Sequence, residues 1–104
     1  MIKYIKQEDP FGCGIACVAM LAGEFVTYKM VRQVWLTQCN GDERRILSGN
    51  GLRVYEVQDL CHLFGIKTFP LIAPTIIQIN SCNRNDCGHY IVITPNGEIL
   101  DPAK

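Results

Sequence analysis

The chain has 104 residues, 48% of them hydrophobic and 19% charged, which suits a single domain over 1–104 with one core and leaves no room for two. Ten basic residues balance ten acidic ones, and neither sign forms a block. The sequence therefore lacks the basic field by which dedicated nucleic-acid or anionic-membrane binders gather phosphates. The opening stretch through Pro10 is charged throughout and lacks the apolar core of a signal peptide. The longest apolar run, 15–22, falls far short of the roughly 20 residues that cross a bilayer. A soluble, cytoplasmic protein is expected, with neither nucleic acid nor membrane as partner. Delivery into another cell and the oligomeric state stay open.

In chain order, Ile2 and Tyr4 alternate with Lys3 and predict a short opening strand, which Asp9-Pro10-Phe11-Gly12 then turns. A helix begins near Cys13. From Gly14 to Ala22 its residues are small or aliphatic on all sides, so it belongs in the centre of the fold, and Gly23 stops it. A second helix, capped by Thr27, runs to about Leu36, with Val31, Val34 and Trp35 inward and Lys29, Arg32 and Gln33 outward. The polar, glycine-rich stretch 40–51 reads as a long mobile connection, with Arg44 and Arg45 solvated. Val57, Leu60, Cys61 and Phe64 repeat at helical spacing and predict a third helix over 53–64, ended by Gly65. Strands follow over 66–71, 75–79, 90–94 and 98–100, the last two joined as a hairpin through Pro95-Asn96-Gly97. Helices first and an antiparallel sheet second make an α+β arrangement.

Six cysteines are many for this length, and in a reducing compartment they read as core residues, metal ligands or a nucleophile. Cys13 stands out. At the start of a buried helix, backbone N–H groups and the helix dipole favour its thiolate. Gly12 and Gly14 clear space for a substrate carbonyl, whose developing oxyanion the Cys13 N–H can face, and Gln7 upstream offers its amide as a second donor. Of the two histidines, His62 lies inside the third helix. His89 opens a strand just after the polar loop 80–88, where it can face a cleft as general base. Asp101 ends the next strand of the same hairpin, at a neighbouring strand end, and can hold the imidazole in the useful tautomer.

The segments Gln7-Glu8-Asp9-Pro10-Phe11-Gly12-Cys13-Gly14-Ile15-Ala16-Cys17, Gly88-His89-Tyr90-Ile91-Val92-Ile93 and Asp101-Pro102 resemble the papain-like cysteine peptidases. Within them the chain is similar to the bacteriocin-processing family, which trims double-glycine leader peptides beside certain ABC exporters. The similarity spans nearly the whole chain, since Gly51-Leu52 before the third helix and Leu63-Phe64-Gly65-Ile66 after it match in kind and order. It implies a papain-like cysteine peptidase fold, with N-terminal helices and a buried central helix packed on a C-terminal antiparallel sheet. Residue by residue it implies Cys13 as nucleophile, His89 as base and acid, Asp101 as orienting carboxylate and Gln7 as oxyanion donor. Gly12 stands where many members carry Asp.

The expected reaction is cleavage of a peptide amide bond in a peptide or protein substrate through a thioester, with no cofactor and no metal. Deamidation of a glutamine side chain, isopeptide cleavage and acyl transfer to another amine use the same chemistry. A non-catalytic binding module that keeps the fold is the alternative from another class, and a redox or zinc module built on the cysteines is a third. Cys17, one turn below Cys13, reads as packing or as a resolving thiol, and Cys61 reads as core. Cys39 carries no signal. Cys82 and Cys87 read as half a zinc site or a short disulfide, in a loop expected to wall the cleft beside His89.

Overall fold

In the computed structural model, which describes residues 2–66, 75–79 and 89–104, four helices precede three strands. They are α1 (Cys13–Ala22), α2 (Tyr28–Gln38), α3 (Glu43–Leu47), α4 (Val54–Leu63), β1 (Thr75–Ile79), β2 (His89–Ile93) and β3 (Ile99–Leu100). The strands pair antiparallel in the order β1-β2-β3, as the α+β reading expects. Among the described residues no helix is long and apolar enough to cross a membrane.

Helix α1 has no polar face, and every residue from Cys13 to Met20 is buried. Such a helix is stable only inside, and α2, α4 and β2 all pack against it. Ile15 and Val18 are wholly removed from water, each burial contributing about 1.5–3 kcal/mol. Helix α2 starts where Thr27 Oγ1 accepts the Met30 N–H at 3.2 Å, and buries Tyr28, Val31 and Trp35 on one stripe. It runs past Leu36 to Gln38, because the Cys39 N–H still reaches the Trp35 carbonyl at 3.2 Å. Helix α4 ends in a Schellman arrangement. Gly65 N–H bonds His62 O at 3.1 Å, Ile66 N–H bonds Cys61 O at 2.8 Å, and Gly65 takes φ +73°.

Two stretches of backbone depart from expectation. Residues 2–7 form no strand: the segment is tethered by the Tyr4 hydroxyl to Asp101 O at 2.9 Å and by the Gln7 N–H to Pro102 O at 3.0 Å. Ile2 and Ile5 pack against the core while Tyr4 stays exposed, and among the described residues no strand ladders with the segment. The stretch 40–51 is not a loose connection, because Asp42 caps the short helix α3 through the Arg44 N–H at 3.0 Å and Ile46 is buried. Ile46 O accepts the Phe11 N–H at 2.9 Å, which ties α3 to the turn before Cys13. Gly51, at φ +76°, passes so close to Phe11 O that a Cβ would sit 2.8 Å from it.

Arg44 is solvated as expected and pairs with Asp42. Arg45 is not. Its guanidinium forms a two-pronged pair with Glu56, donates to Gly51 O at 2.7 Å and lies 5.8 Å above the Trp35 ring. The expected strand over 66–71 (beyond Ile66) and the loop 80–88 with Cys82 and Cys87 lie outside the described residues.

Candidate active site

Cys13 opens α1 and is 3% exposed. The next residue, Gly14, lies against Tyr90: a Cβ there would stand 3.4 Å from Tyr90 Cδ2, 3.4 Å from Leu52 Cβ and 3.1 Å from Val57 Cγ2. The Tyr90 hydroxyl is fixed by donating to Leu52 O at 3.0 Å. The close approach of Gly14 and Tyr90 thus joins the N-terminus of α1 to the start of β2, and Cys13 and His89 are the neighbours of those two residues.

His89 and Asp101 meet as the hairpin predicts. The turn closes through Thr94 N–H to Glu98 O and Gly97 N–H to Thr94 O, both 2.9 Å, with Gly97 at φ +83°. Val92 faces Leu100 across the strands, so one further step sets Asp101 opposite Ile91, two residues from His89. Such diagonal neighbours share a face. His89 Nε2 and Asp101 Oδ1 are 2.6 Å apart, and Ala103 N–H also donates to Oδ1 at 2.9 Å. Burial works to raise the Asp101 carboxyl, but the bonds from His89 and Ala103 outweigh it and hold it below the usual carboxylate range.

The sign of the pH effect follows. A carboxyl lower in the folded than in the unfolded chain, where it titrates near about 3.9, contributes stability that is present above that pH. It is lost as pH falls through the folded value. Urea unfolding across the acid range is expected to show a shallower acid loss for Asp101→Asn than for the wild type.

Gln7 is held in the turn before Cys13. Its Nε2 donates to Asp9 O at 3.1 Å and Pro10 O at 2.9 Å, while Oε1 is buried without a hydrogen-bond partner among the described residues. Cys17 and Cys61 are buried in the core with Cys13. Burial pushes the Cys17 thiol well up, with Cys13, Asp101 and Cys61 nearby adding to it, and burial pushes Cys61 up to about 11. Cys17, Cys39 and Cys61 are free thiols. Among the described residues no three His, Cys, Asp or Glu side chains are grouped to hold a metal ion.

One cluster beside the site escaped the sequence reading. Asp9 is buried, accepting from the Tyr28 hydroxyl at 2.6 Å and from Arg32 Nε at 3.0 Å, and Arg32 continues to Glu43 at 2.8 Å. Arg32 therefore turns toward the site-bearing turn, not outward to solvent. The available signal was the spacing of Tyr28, Arg32 and Trp35, which share one side of α2. The Tyr28 hydroxyl also occupies the place of any side chain at residue 12, since a Gly12 Cβ would lie 1.8 Å from it.

Comparison with known proteins returns no match, whether to a family model, a curated protein or a solved structure.

Proposed function

We propose that the chain is a papain-like, cysteine-dependent hydrolase that cleaves an amide bond of a peptide or protein. The observation that carries the reading is the 2.6 Å His89–Asp101 pair at the start of the strand packed on the helix that Cys13 opens. Asp101 accepts the Nε2 proton, which leaves Nδ1 as the basic nitrogen. Nδ1 takes the Cys13 proton, and the thiolate attacks the substrate carbonyl carbon. A C–S bond forms and the carbonyl π pair moves to oxygen, where the Cys13 N–H and the Gln7 amide stabilise it. For this Gln7 exchanges its bond to Pro10 O for one to the oxyanion and keeps its bond to Asp9 O. The π bond then re-forms as the C–N bond breaks, and the amine leaves with the proton from His89. Water, giving its proton to His89, attacks the thioester, the C–S bond breaks, and the acid and free Cys13 result. Deamidation, isopeptide cleavage or transfer to another amine would run on the same steps.

A second reading, a non-catalytic binding module, draws on the 3% exposure of Cys13 and on the engagement of Gln7 Nε2 within its own turn. Alkylation by iodoacetamide, resolved by cysteine with mass spectrometry between about pH 5 and about pH 9, separates the two. Cys13 is expected to react fast near about pH 6, and His89→Ala is expected to remove that advantage. Cys17 and Cys61 serve as internal standards, expected to stay unmodified until the protein is unfolded, because their raised thiols hold almost no thiolate. A Cys13 that titrates near about 8.5 in both proteins sinks the hydrolase reading and leaves the binding module.

A further inference from the structure

The turn leading into Cys13 is gripped from α2 by a charged clamp that the reaction above does not use. The Asp9 carboxylate, 8% exposed, accepts the Tyr28 hydroxyl at 2.6 Å and Arg32 Nε at 3.0 Å. Its main chain serves the site side: Asp9 O accepts the Gly12 N–H at 3.1 Å and the Gln7 amide at 3.1 Å. One residue thus connects α2 to the Gln7 amide and to Gly12, the residue next to the Cys13 N–H, the two parts of the proposed oxyanion site. The orientation of that amide is unambiguous, because two carbonyl acceptors, Asp9 O and Pro10 O, require the NH2 end there. Stability alone is a weak reason for such a cluster, since burying a carboxylate beside a guanidinium carries a desolvation cost that well-packed apolar residues avoid.

We infer that Asp9 is a positioning residue, clamped by Tyr28 and Arg32, that aims the Gln7 amide and the Cys13 N–H at the carbonyl oxygen of an acyl substrate. The inference rests on the hydrolase reading. Its distinctive consequence is that the clamp acts on reactions that build charge on a carbonyl oxygen and leaves alone those that occur at sulfur only.

Two electrophiles divide these cases. With iodoacetamide the Cys13 thiolate displaces iodide from a saturated carbon, the C–S bond forming as the C–I bond breaks, and no oxyanion arises. With p-nitrophenyl acetate the thiolate adds to the carbonyl, the oxygen carries the charge, and p-nitrophenolate leaves with the electrons of the C–O bond to give S-acetyl-Cys13. In Asp9→Asn the acetylation of Cys13, followed by nitrophenolate release and peptide mass, is expected to slow about tenfold or more, as for a misaimed oxyanion donor. Alkylation is expected to stay within about twofold of wild type.

Arg32→Gln, at a side chain 23% exposed, gives the same pattern at smaller amplitude and carries the test where Asp9→Asn does not fold. Equal slowing of both reactions in a folded variant, or no change in either, overturns the inference and leaves Asp9 a structural residue, while the wild-type preference for Cys13 still stands. A wild type in which neither reagent selects Cys13 overturns the hydrolase reading and the role of the clamp with it.

Discussion

Glu56→Ala is expected to lower the unfolding free energy by about 3 kcal/mol, the lower end of the range for breaking a buried ion pair from one side. The Glu56 side chain is 9% exposed and serves three elements together. It accepts both prongs of Arg45 from α3, the Trp35 indole N–H from α2 at 3.3 Å, and the Arg53 N–H that starts α4 at 2.9 Å. Burial alone would raise its carboxyl, yet Arg45 and the Arg53 N–H prevail and hold it below the usual range. Removal takes the carboxylate from the Arg45 guanidinium beside Trp35, and leaves the indole N–H buried without the Glu56 acceptor. The lower end is chosen because Arg45 retains 30% exposure, so water recovers part of the loss. In a domain of this size the melting temperature should fall by roughly 12–24 °C. Adding Arg45→Met should cost far less than its effect alone, because the cation that has lost its carboxylate goes with it. Independent, additive costs in chemical denaturation would mean that the pair does not act as a unit.

Gly12→Ala should be as damaging for a different reason. Gly12 has φ −97° and ψ 19°, which other residues adopt, so the backbone does not require glycine there. Space does. The added Cβ would lie 1.8 Å from the Tyr28 hydroxyl oxygen and 3.0 Å from Cζ, and Tyr28 is 2% exposed with nowhere to swing. Either the ring leaves, forfeiting a hydrogen bond to a carboxylate worth about 1.5–3 kcal/mol, or the backbone shifts and takes Cys13 with it. With overpacking costs of about 1–3 kcal/mol, a total near about 3 kcal/mol is expected. The diagnostic is a change of sign. Tyr28→Phe should destabilise the wild type but stabilise the Gly12→Ala protein, since it deletes the atom in conflict. Denaturant titration of the four proteins measures this, and a Tyr28→Phe cost equal in both backgrounds would refute the steric account.

The parts legible in the sequence are those governed by local rules. The all-apolar run after Gly12 gave α1 and its central place, and Gly65 gave the end of α4 because a left-handed stop is a local need. Asn96-Gly97 gave the hairpin, and with it the His89–Asp101 pairing, because a short turn fixes the register of its two strands. What escaped depends on partners distant in the chain. Arg32 and Arg45 look like solvated charges until α2 and α3 are packed beside Asp9 and Glu56, and nothing near them in sequence announces those carboxylates. Helix α3 is too short for a periodic signal, with Ile46 its one buried residue. The opening alternation of Ile2 and Tyr4 misled in burial as well as in structure, since Ile2 packs on the core with Ile5 while Tyr4 is exposed.

The tethers from Tyr4 and Gln7 to residues 101–102 also bear on how the molecule comes together in time. Tyr4 and Asp101 are 97 positions apart, so their bond closes nearly the longest loop the described chain contains. The entropic cost of that closure rises only as the logarithm of loop length, but ordering both flanks beforehand favours making it after the helices and the hairpin have formed. His89 and Asp101, twelve positions apart, can pair as soon as their hairpin forms, whereas the Gln7 turn is tied to Pro102 only once both ends of the path are in place. Folding thus completes the His89–Asp101 pair early and the seam carrying Gln7 late, so the contacts that mature last are those on which the proposed oxyanion site would depend.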